Sequence, residues 1–547
     1  MGRRREAALL VGLWLAAAAP VFATEPGPDL LGLPLPEEPA RPELRGSADE
    51  PAPAILADLP PPDLPAVPPV AEAFGRPEPV RTGSLGAVAV PLPAEAQVVV
   101  TAADMVSGAL EARLADGKGA WPQRLPKADR EAVAAFYAAR QHRPLWLAGE
   151  GWSAAGQAVI RRLGLAAEDG LDPADYVPPA MGPGAARRSP PELAEAELKL
   201  SAAAALYARD ARGGRINPTR LSSLLTPKLD LPTADQVLAA LAAADDPDAA
   251  LEAYNPRHPG YAALRRKLAE YRVNRPATVP MVRRKPGIEL TTQAIAVLHD
   301  APVARASGVY ASPRLEGDLV ANMERWRWLP SELGDRYVAV NIPEYRLRLF
   351  EGERVAHETR VIVGKPESAS PVFSGLMEYA VVNPSWYVPP SILKKEFLPK
   401  LAEDPGYAER QGYKVVRRGN AISIRQPPGE RNALGFIKFM FPNGHAVYLH
   451  DTPNRRLFST TRRAYSHGCI RVENPFLLAD FVLGHEWSEA RLKKLIGRGE
   501  RTIFLPRKLP VHLTYFTLAV DEMGELRSFE DIYGHDRRVR QALGLSG

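Results

Sequence analysis

One cysteine, Cys469, is all that the chain carries in 547 residues. A single thiol cannot form a disulfide within its own chain, and one cysteine with scattered histidines does not make a closed zinc set. A disulfide-stapled fold and a structural zinc module are therefore both excluded. Neither GxGxxG nor GxxxxGK[ST] occurs, which argues against the common dinucleotide and nucleoside-triphosphate folds. Positive charge is in short supply for a nucleic-acid partner: 69 Lys and Arg against 64 Asp and Glu leave +5, spread evenly. Beyond Phe22 no run is apolar for long enough to span a bilayer, which takes about 20 residues.

What is present starts with MGRRREAALLVGLWLAAAAPVFATEP. Three arginines, an apolar run from Ala7 to about Phe22 and a small residue before a polar, Pro-containing stretch describe a signal peptide over residues 1–23. Cleavage after Ala23 is expected, the alternative being an uncleaved inner-membrane anchor. Either way the remainder is exported. Export sharpens the question that Cys469 poses, because an unpaired thiol in an oxidising compartment is open to oxidation and mixed disulfides. It is either a buried structural thiol or one kept for its reactivity.

Residues 24–97 are dominated by Pro, Ala and Glu, as in LADLPPPDLPAVPPVAEAF, and show no helical period. They read as an extended, disordered tether. From 98 to 275 apolar residues recur at helical spacing in ADREAVAAFYAARQ, SAAGQAVIRRLGLAAEDG, PELAEAELKLSAAAALYARDA, TADQVLAALAAADD and GYAALRRKLAEYR. Ser153 and Thr233 stand at N-cap positions. A helical domain is expected there, with His142 and the acidic residues on solvated faces. Residues 276–318 hold one short helical stretch and no domain-sized core. After Trp328 the period becomes two, predicting strands at Val338–Ile342, Arg346–Phe350, His357–Val363, Glu378–Val382, Ala421–Arg425, Ala446–His450 and Thr502–Leu505. The fold class is thus α+β and multidomain. A helical domain precedes a mainly antiparallel sheet domain with inserted helical pieces at 319–510, followed by an extension at 511–547.

The strand AVYLH ends on His450, and fifteen residues separate that histidine from Ser466-His467-Gly468-Cys469. A thiol attacks a carbonyl as thiolate, so a nucleophilic Cys469 needs a base, a helix N-terminus or a cation beside it. His467 lies two residues away in a tight turn, where the two side chains face each other poorly. His450 arrives from a separate strand and is assigned as general base and acid; the alternative is a histidine that caps its strand by hydrogen bonding. Gly468 gives the turn its backbone freedom. The N–H of Cys469, with that of Gly468 or His467, forms a candidate oxyanion hole. Ser466 is placed to hold the turn by a side-chain to backbone bond. Arg471 either recognises a substrate carboxylate or buttresses the loop.

This pattern, a histidine followed at fixed distance by S-H-G-C-I-R, resembles the catalytic signature of L,D-transpeptidases of the YkuD type. NPSWYVPPSI at 383–392, VYLHDTP at 447–453 and FYAARQHRPLWL at 136–147 are similar to the YcbB-like branch, in which a helical scaffold domain precedes the catalytic domain. The resemblance runs from about Val98 to the C-terminus. It implies a periplasmic enzyme of cell-wall organisation and cell shape that needs no metal and no organic cofactor. Its partners would be peptidoglycan stem peptides, a tetrapeptide donor and a diaminopimelate-containing acceptor, with cell-wall synthesis proteins met through the scaffold domain. Cys469 would attack the carbonyl at the L-centre of the third stem residue and expel D-alanine. A second stem's amine would then take the acyl group in a 3→3 cross-link, and carbapenems would trap the same thiol. The resemblance also implies that the backbone carbonyl of Asp451 orients His450, and that a capping insertion lies at about 388–435. At its base, Trp386 and Tyr387 either line the cleft or belong to the core. One departure stands out: 276–318 is too short for the peptidoglycan-binding module of many relatives. Other readings are a same-fold hydrolase, an enzyme attaching proteins to stems, and a non-enzymatic wall-binding scaffold in which Cys469 is dispensable.

Overall fold

The computed structural model describes residues 101–117, 121–181, 188–274, 314–418 and 421–545. The expected signal peptide, the tether and most of the connecting segment at 276–318 lie outside the described residues.

The helical part contains α1 (Ala102–Ala115), α2 (Lys127–Ala139), α3 (Ala154–Gly164), α4 (Pro190–Gly213), α5 (Ala234–Ala243) and α6 (Pro259–Asn274). Ser153 caps α3 by accepting from the Gly156 N–H at 3.1 Å, and Thr233 forms a capping box with Gln236 at the start of α5. The centre of α4 is alanine-rich and buried on all sides from Leu200 to Ala208. Small side chains let α1, α2, α3 and α5 pack closely around it.

The acidic residues of this domain do not all face water. Glu197, Asp169 and Asp210 are buried. Glu197 accepts from the Tyr137 hydroxyl at 2.7 Å and the Trp146 N–H at 3.0 Å, tying the FYAARQHRPLWL loop to α4. Asp210 accepts from the Tyr176 hydroxyl at 2.7 Å and pairs with Arg124 at 2.9 Å. A carboxylate at a polar helix position can be solvated or can fasten a loop with no change in apolar period, so the helical pattern could not separate the two.

A further helix, α7 (Leu315–Trp326), packs on α6 and leads into the sheet domain. Its strands are β1 (Arg336–Asn341), β2 (Arg346–Glu351), β3 (Arg354–Gly364), β4 (Phe373–Val382), β5 (Trp386–Tyr387), β6 (Lys414–Arg418), β7 (Ala421–Gln426), β8 (Ile437–Met440), β9 (Leu449–His450), β10 (Ala464–Ser466), β11 (Ile470–Val472) and β12 (Arg501–Thr514). Nine of them form one sheet in the order β10-β3-β11-β9-β8-β4-β12-β1-β2, and a β2–β3 pairing closes it. Closure runs through eight of the nine strands and leaves β10, only three residues long and paired with β3, as the edge.

Most neighbours are antiparallel, as the alternation suggests. Three pairs are parallel: β9 with β11, β10 with β3, and β12 with β1. β12 also shows that residue 510 is no boundary. The strand runs on to Thr514, and Val511 to Thr514 pair with Val338 to Asn341 inside the sheet. The expected strand at Ala446–His450 is shorter, because Ala446 has a positive φ of 54° and only Leu449 and His450 pair as β9.

The segment at 388–435, expected to be a capping insertion, carries short helical turns between Pro390 and Arg410 and the strands β6 and β7, which form a three-stranded sheet with β5 in the order β5-β7-β6. Its Ile392, Phe397 and Leu401 share the hydrophobic core of the closed sheet. The helical domain docks on the same body through a parallel bridge between Leu225 and Val372.

Candidate active site

His450 ends β9, and the parallel register sets it opposite Arg471 on β11, with Leu449 opposite Ile470. The Ile470 N–H donates to the Tyr448 carbonyl at 3.1 Å, which carries the ladder back to the peptide bond following Cys469. Fifteen intervening residues thus leave the sheet and return to it beside their starting point. On its other side β9 pairs with β8, where Lys438 stands opposite His450.

His450 is fully buried. Its Nδ1–H donates to the Asp451 carbonyl at 2.5 Å, and its Nε2 has no hydrogen-bond partner among the described residues. That bond fixes the tautomer and leaves the Nε2 lone pair as the available base. Burial, followed by the nearby cations Arg471 and Lys438, pushes the imidazole down to about 3 even though the Asp451 carbonyl favours its protonation. The ring is therefore neutral at ordinary pH.

The Asp451 side chain points elsewhere, accepting from the Phe436 N–H and from Arg455, both at 2.9 Å. It is the Asp451 carbonyl that meets the His450 ring.

Cys469 is 1 % exposed and lies in the core of the closed sheet. The turn before it is held as expected of Ser466, whose hydroxyl donates to the Cys469 carbonyl at 2.6 Å and accepts from the Gly468 N–H at 3.0 Å. The second bond narrows the oxyanion expectation, since the Gly468 N–H is already engaged. Gly468 adopts φ +120°, a conformation that side chains disfavour.

Arg471 is buried, and burial brings its guanidinium down to about 10 while the Cys469 sulfur acts in the opposite direction. It stays charged at neutral pH beside the sulfur. A cation in that place favours a thiolate.

His467 is engaged with another partner on its Nε2 side. Its Nε2 meets Glu396 Oε1 of the insertion at 2.9 Å, joining that insertion to the nucleophile motif. Burial lowers its affinity for a proton, with Glu396 opposing and Lys365 adding to the effect. Trp386 is buried against Tyr413, with ring centroids 6.0 Å apart, and belongs to the core. Tyr387 is 49 % exposed, with Arg425 over its ring.

Sequence reasoning missed Tyr448, Lys438 and Glu396. The Tyr448 ring lies 5.7 Å from that of His450, and Lys438 Nζ is 5.4 Å from the Tyr448 ring. A lone lysine inside the apolar IKFM strand was the available signal for Lys438. Nothing local marks Glu396.

Comparisons with known proteins match both halves of the chain. The family model described as an L,D-transpeptidase catalytic domain, YkuD, matches residues 335–502, and one described as a scaffold domain matches 131–268. A curated Haemophilus influenzae protein, provisionally named an L,D-transpeptidase, is 35% identical over 244 residues, covering 41% of this chain and 49% of the relative. The chain thus spans about half the length of that relative. Two solved structures, one of the Ldtfm-avibactam carbamoyl enzyme and one of a cysteine-to-serine mutant of an Enterococcus faecium L,D-transpeptidase, are each 16% identical. Each match covers 34% of this chain and 51% of the other, with TM-scores of 0.18 and 0.16.

Proposed function

We propose that the chain is an L,D-transpeptidase in which a scaffold domain precedes a YkuD-type catalytic domain, and that it forms 3→3 cross-links in peptidoglycan through an acyl-enzyme on Cys469. The observation that carries this reading is the state of His450: neutral, fixed by the Asp451 carbonyl, with Nε2 unpartnered and Arg471 opposite.

In the proposed reaction His450 Nε2 takes the proton from Cys469 Sγ. The thiolate adds to the carbonyl at the L-centre of the third residue of a tetrapeptide stem, giving a tetrahedral oxyanion. Backbone N–H groups of the turn, other than that of Gly468, stabilise this charge. As the oxyanion collapses, the C–N bond breaks and the proton on His450 passes to the departing D-alanine amine. A thioester remains. The side-chain amine of a second stem attacks it, gives its proton to His450, and releases Cys469 to complete the new amide. Arg471 supports the thiolate once His450 has taken its proton, and again as the thiolate is released from the thioester. Both proton transfers use the same imidazole nitrogen, so no carboxylate triad is needed.

The family acts on peptidoglycan stems, which suggests an extracellular or periplasmic site of action. No helix among the described residues is long and apolar enough to cross a membrane. The helical domain is proposed to receive cell-wall synthesis partners. The capping insertion is proposed to cover the stem in the cleft, since Glu396 ties it to His467.

The test incubates the purified full chain with disaccharide tetrapeptides and resolves the products by liquid chromatography and mass spectrometry. Cross-linked dimers that have lost one D-alanine are expected, and none with Cys469→Ala. Shortened monomers alone would show water to be the acceptor and would overturn the transpeptidase reading.

A further inference from the structure

The loop that joins β3 to β4 packs directly against the nucleophile turn. Ser370, wholly buried in that loop, donates its hydroxyl to the Gly468 carbonyl at 2.7 Å and accepts from the Gly364 N–H at 2.9 Å. The Lys365 N–H and the Ser368 hydroxyl both donate to the Ser466 carbonyl, at 2.9 and 3.2 Å. The loop is tight enough that a Cβ on Gly364 would lie 2.2 Å from the Ser368 carbonyl oxygen and 2.7 Å from the Ser370 nitrogen.

This loop is in turn gripped from beyond residue 502, where the match to the catalytic family ends. The Tyr533 hydroxyl donates to the Gly364 carbonyl at 2.6 Å and accepts from the Ser370 N–H at 3.2 Å. It thereby clamps the two residues that the Ser370 hydroxyl also joins. Tyr533 is itself anchored: its N–H donates to the Tyr515 hydroxyl at 2.8 Å, and that hydroxyl donates to Asp531 at 2.8 Å. The Tyr515 and Tyr533 rings stack with centroids 5.6 Å apart.

The consequence follows from peptide geometry. The Gly468 carbonyl and the Cys469 N–H belong to one planar peptide group. A bond from Ser370 to that carbonyl therefore sets the direction in which the Cys469 N–H points. That N–H is the donor nearest to the sulfur, and its aim decides how well it meets an oxyanion.

We propose that Tyr533 is a positioning residue of the nucleophile turn, acting through Ser370 on the Gly468–Cys469 peptide plane. The segment after residue 514 is then part of the reaction machinery and more than a tail behind the barrel. The inference rests on the reading of Cys469 as nucleophile.

The test compares two reactions of the same thiol in the full chain. Acylation by a carbapenem passes through a tetrahedral oxyanion; alkylation by iodoacetamide displaces iodide from a CH2 group and forms none. Both rates are followed by intact mass. Tyr533→Phe, which removes only the hydroxyl, should slow carbapenem acylation about tenfold and leave alkylation within about twofold, since a correctly aimed oxyanion donor is worth more than one decade in rate. Ser370→Ala, one link nearer the turn, should split the two rates in the same sense. Equal rates in Tyr533→Phe and wild type, or a parallel fall in both reactions, would overturn the proposal. If Tyr533→Phe loses its circular-dichroism melt, the Ser370→Ala split decides. A wild-type chain that no carbapenem acylates would sink the reading of Cys469 and this inference with it. An acylated wild type with an unsplit variant removes only the role of Tyr533.

Discussion

Replacing His450 by glutamine should make the catalytic barrel less sensitive to acid, although it removes the proposed base. In the folded chain the imidazole is held down to about 3, against an ordinary value of 6.5, first by burial and then by Arg471 and Lys438. Above pH 6.5 the ring is neutral whether folded or unfolded and makes no pH-dependent contribution. Below 6.5 the unfolded chain takes up a proton that the folded chain refuses, so stability falls as pH falls, down to about 3. Each pH unit in that window is worth about 1.4 kcal/mol, which makes roughly 2 kcal/mol between pH 6.5 and 5. His258 and His535, both held down to about 4 by burial, act in the same sense but are present in both proteins and cancel in the comparison. The assay is native-state hydrogen exchange by mass spectrometry on the peptide that contains β11, which reads the opening free energy of the barrel separately from the helical domain. Wild type should lose about 2 kcal/mol more than His450→Gln between pH 7.5 and 5.0. Equal losses would mean that His450 titrates normally in the folded barrel, and the account of a desolvated neutral base would fail.

Three further outcomes follow from the same geometry. Gly468→Ala places a side chain at φ +120°, although its Cβ would meet nothing closer than the Ala369 carbonyl oxygen at 3.8 Å. The strain is of the backbone alone and is worth about 1–3 kcal/mol; carbapenem acylation followed by mass spectrometry should slow at least tenfold, and an unchanged rate would refute the need for that turn. Asp451→Asn should acylate within about threefold of wild type, because the backbone carbonyl serves His450, whereas loss of a side-chain triad member costs about four decades in rate; a loss on that scale would restore the side chain to the mechanism. Shortening the insertion at 388–435 should impair cross-linking of tetrapeptide stems more than acylation by a small drug, as expected of a cover that holds a long substrate and excludes water. Equal losses in the two rates would mean that the insertion builds the catalytic site itself.

Features set by local pattern were legible from residues alone. The helices α2 to α6 follow apolar period and capping residues, and Ser153 and Thr233 cap where expected. The meeting of His450 with the Cys469 turn was legible because both segments carry chemistry-bearing residues at a telling distance. What stayed hidden depends on long-range pairing. Glu197 could not be recognised as buried, because its partners Tyr137 and Trp146 lie more than 50 residues away. Glu396 reaches His467 across 71 residues, and Tyr533 reaches Gly364 across 169. Residue 510 does not end β12: the alternation breaks at Pro506–Lys508, where the register on β4 shifts, and the strand then resumes on β4 and adds β1 from Val511 onward.

The central claim is that Cys469 is the acylated nucleophile and His450 its base. Its most direct test is the intact mass of the full chain after exposure to a carbapenem, with peptide mapping of the adduct. The account predicts a single added drug mass on the peptide containing Cys469, none with Cys469→Ala, and a loss of at least a hundredfold in rate with His450→Ala, on the scale of general base catalysis. An adduct that persists in Cys469→Ala, or one that forms at the wild-type rate in a folded His450→Ala, would contradict it.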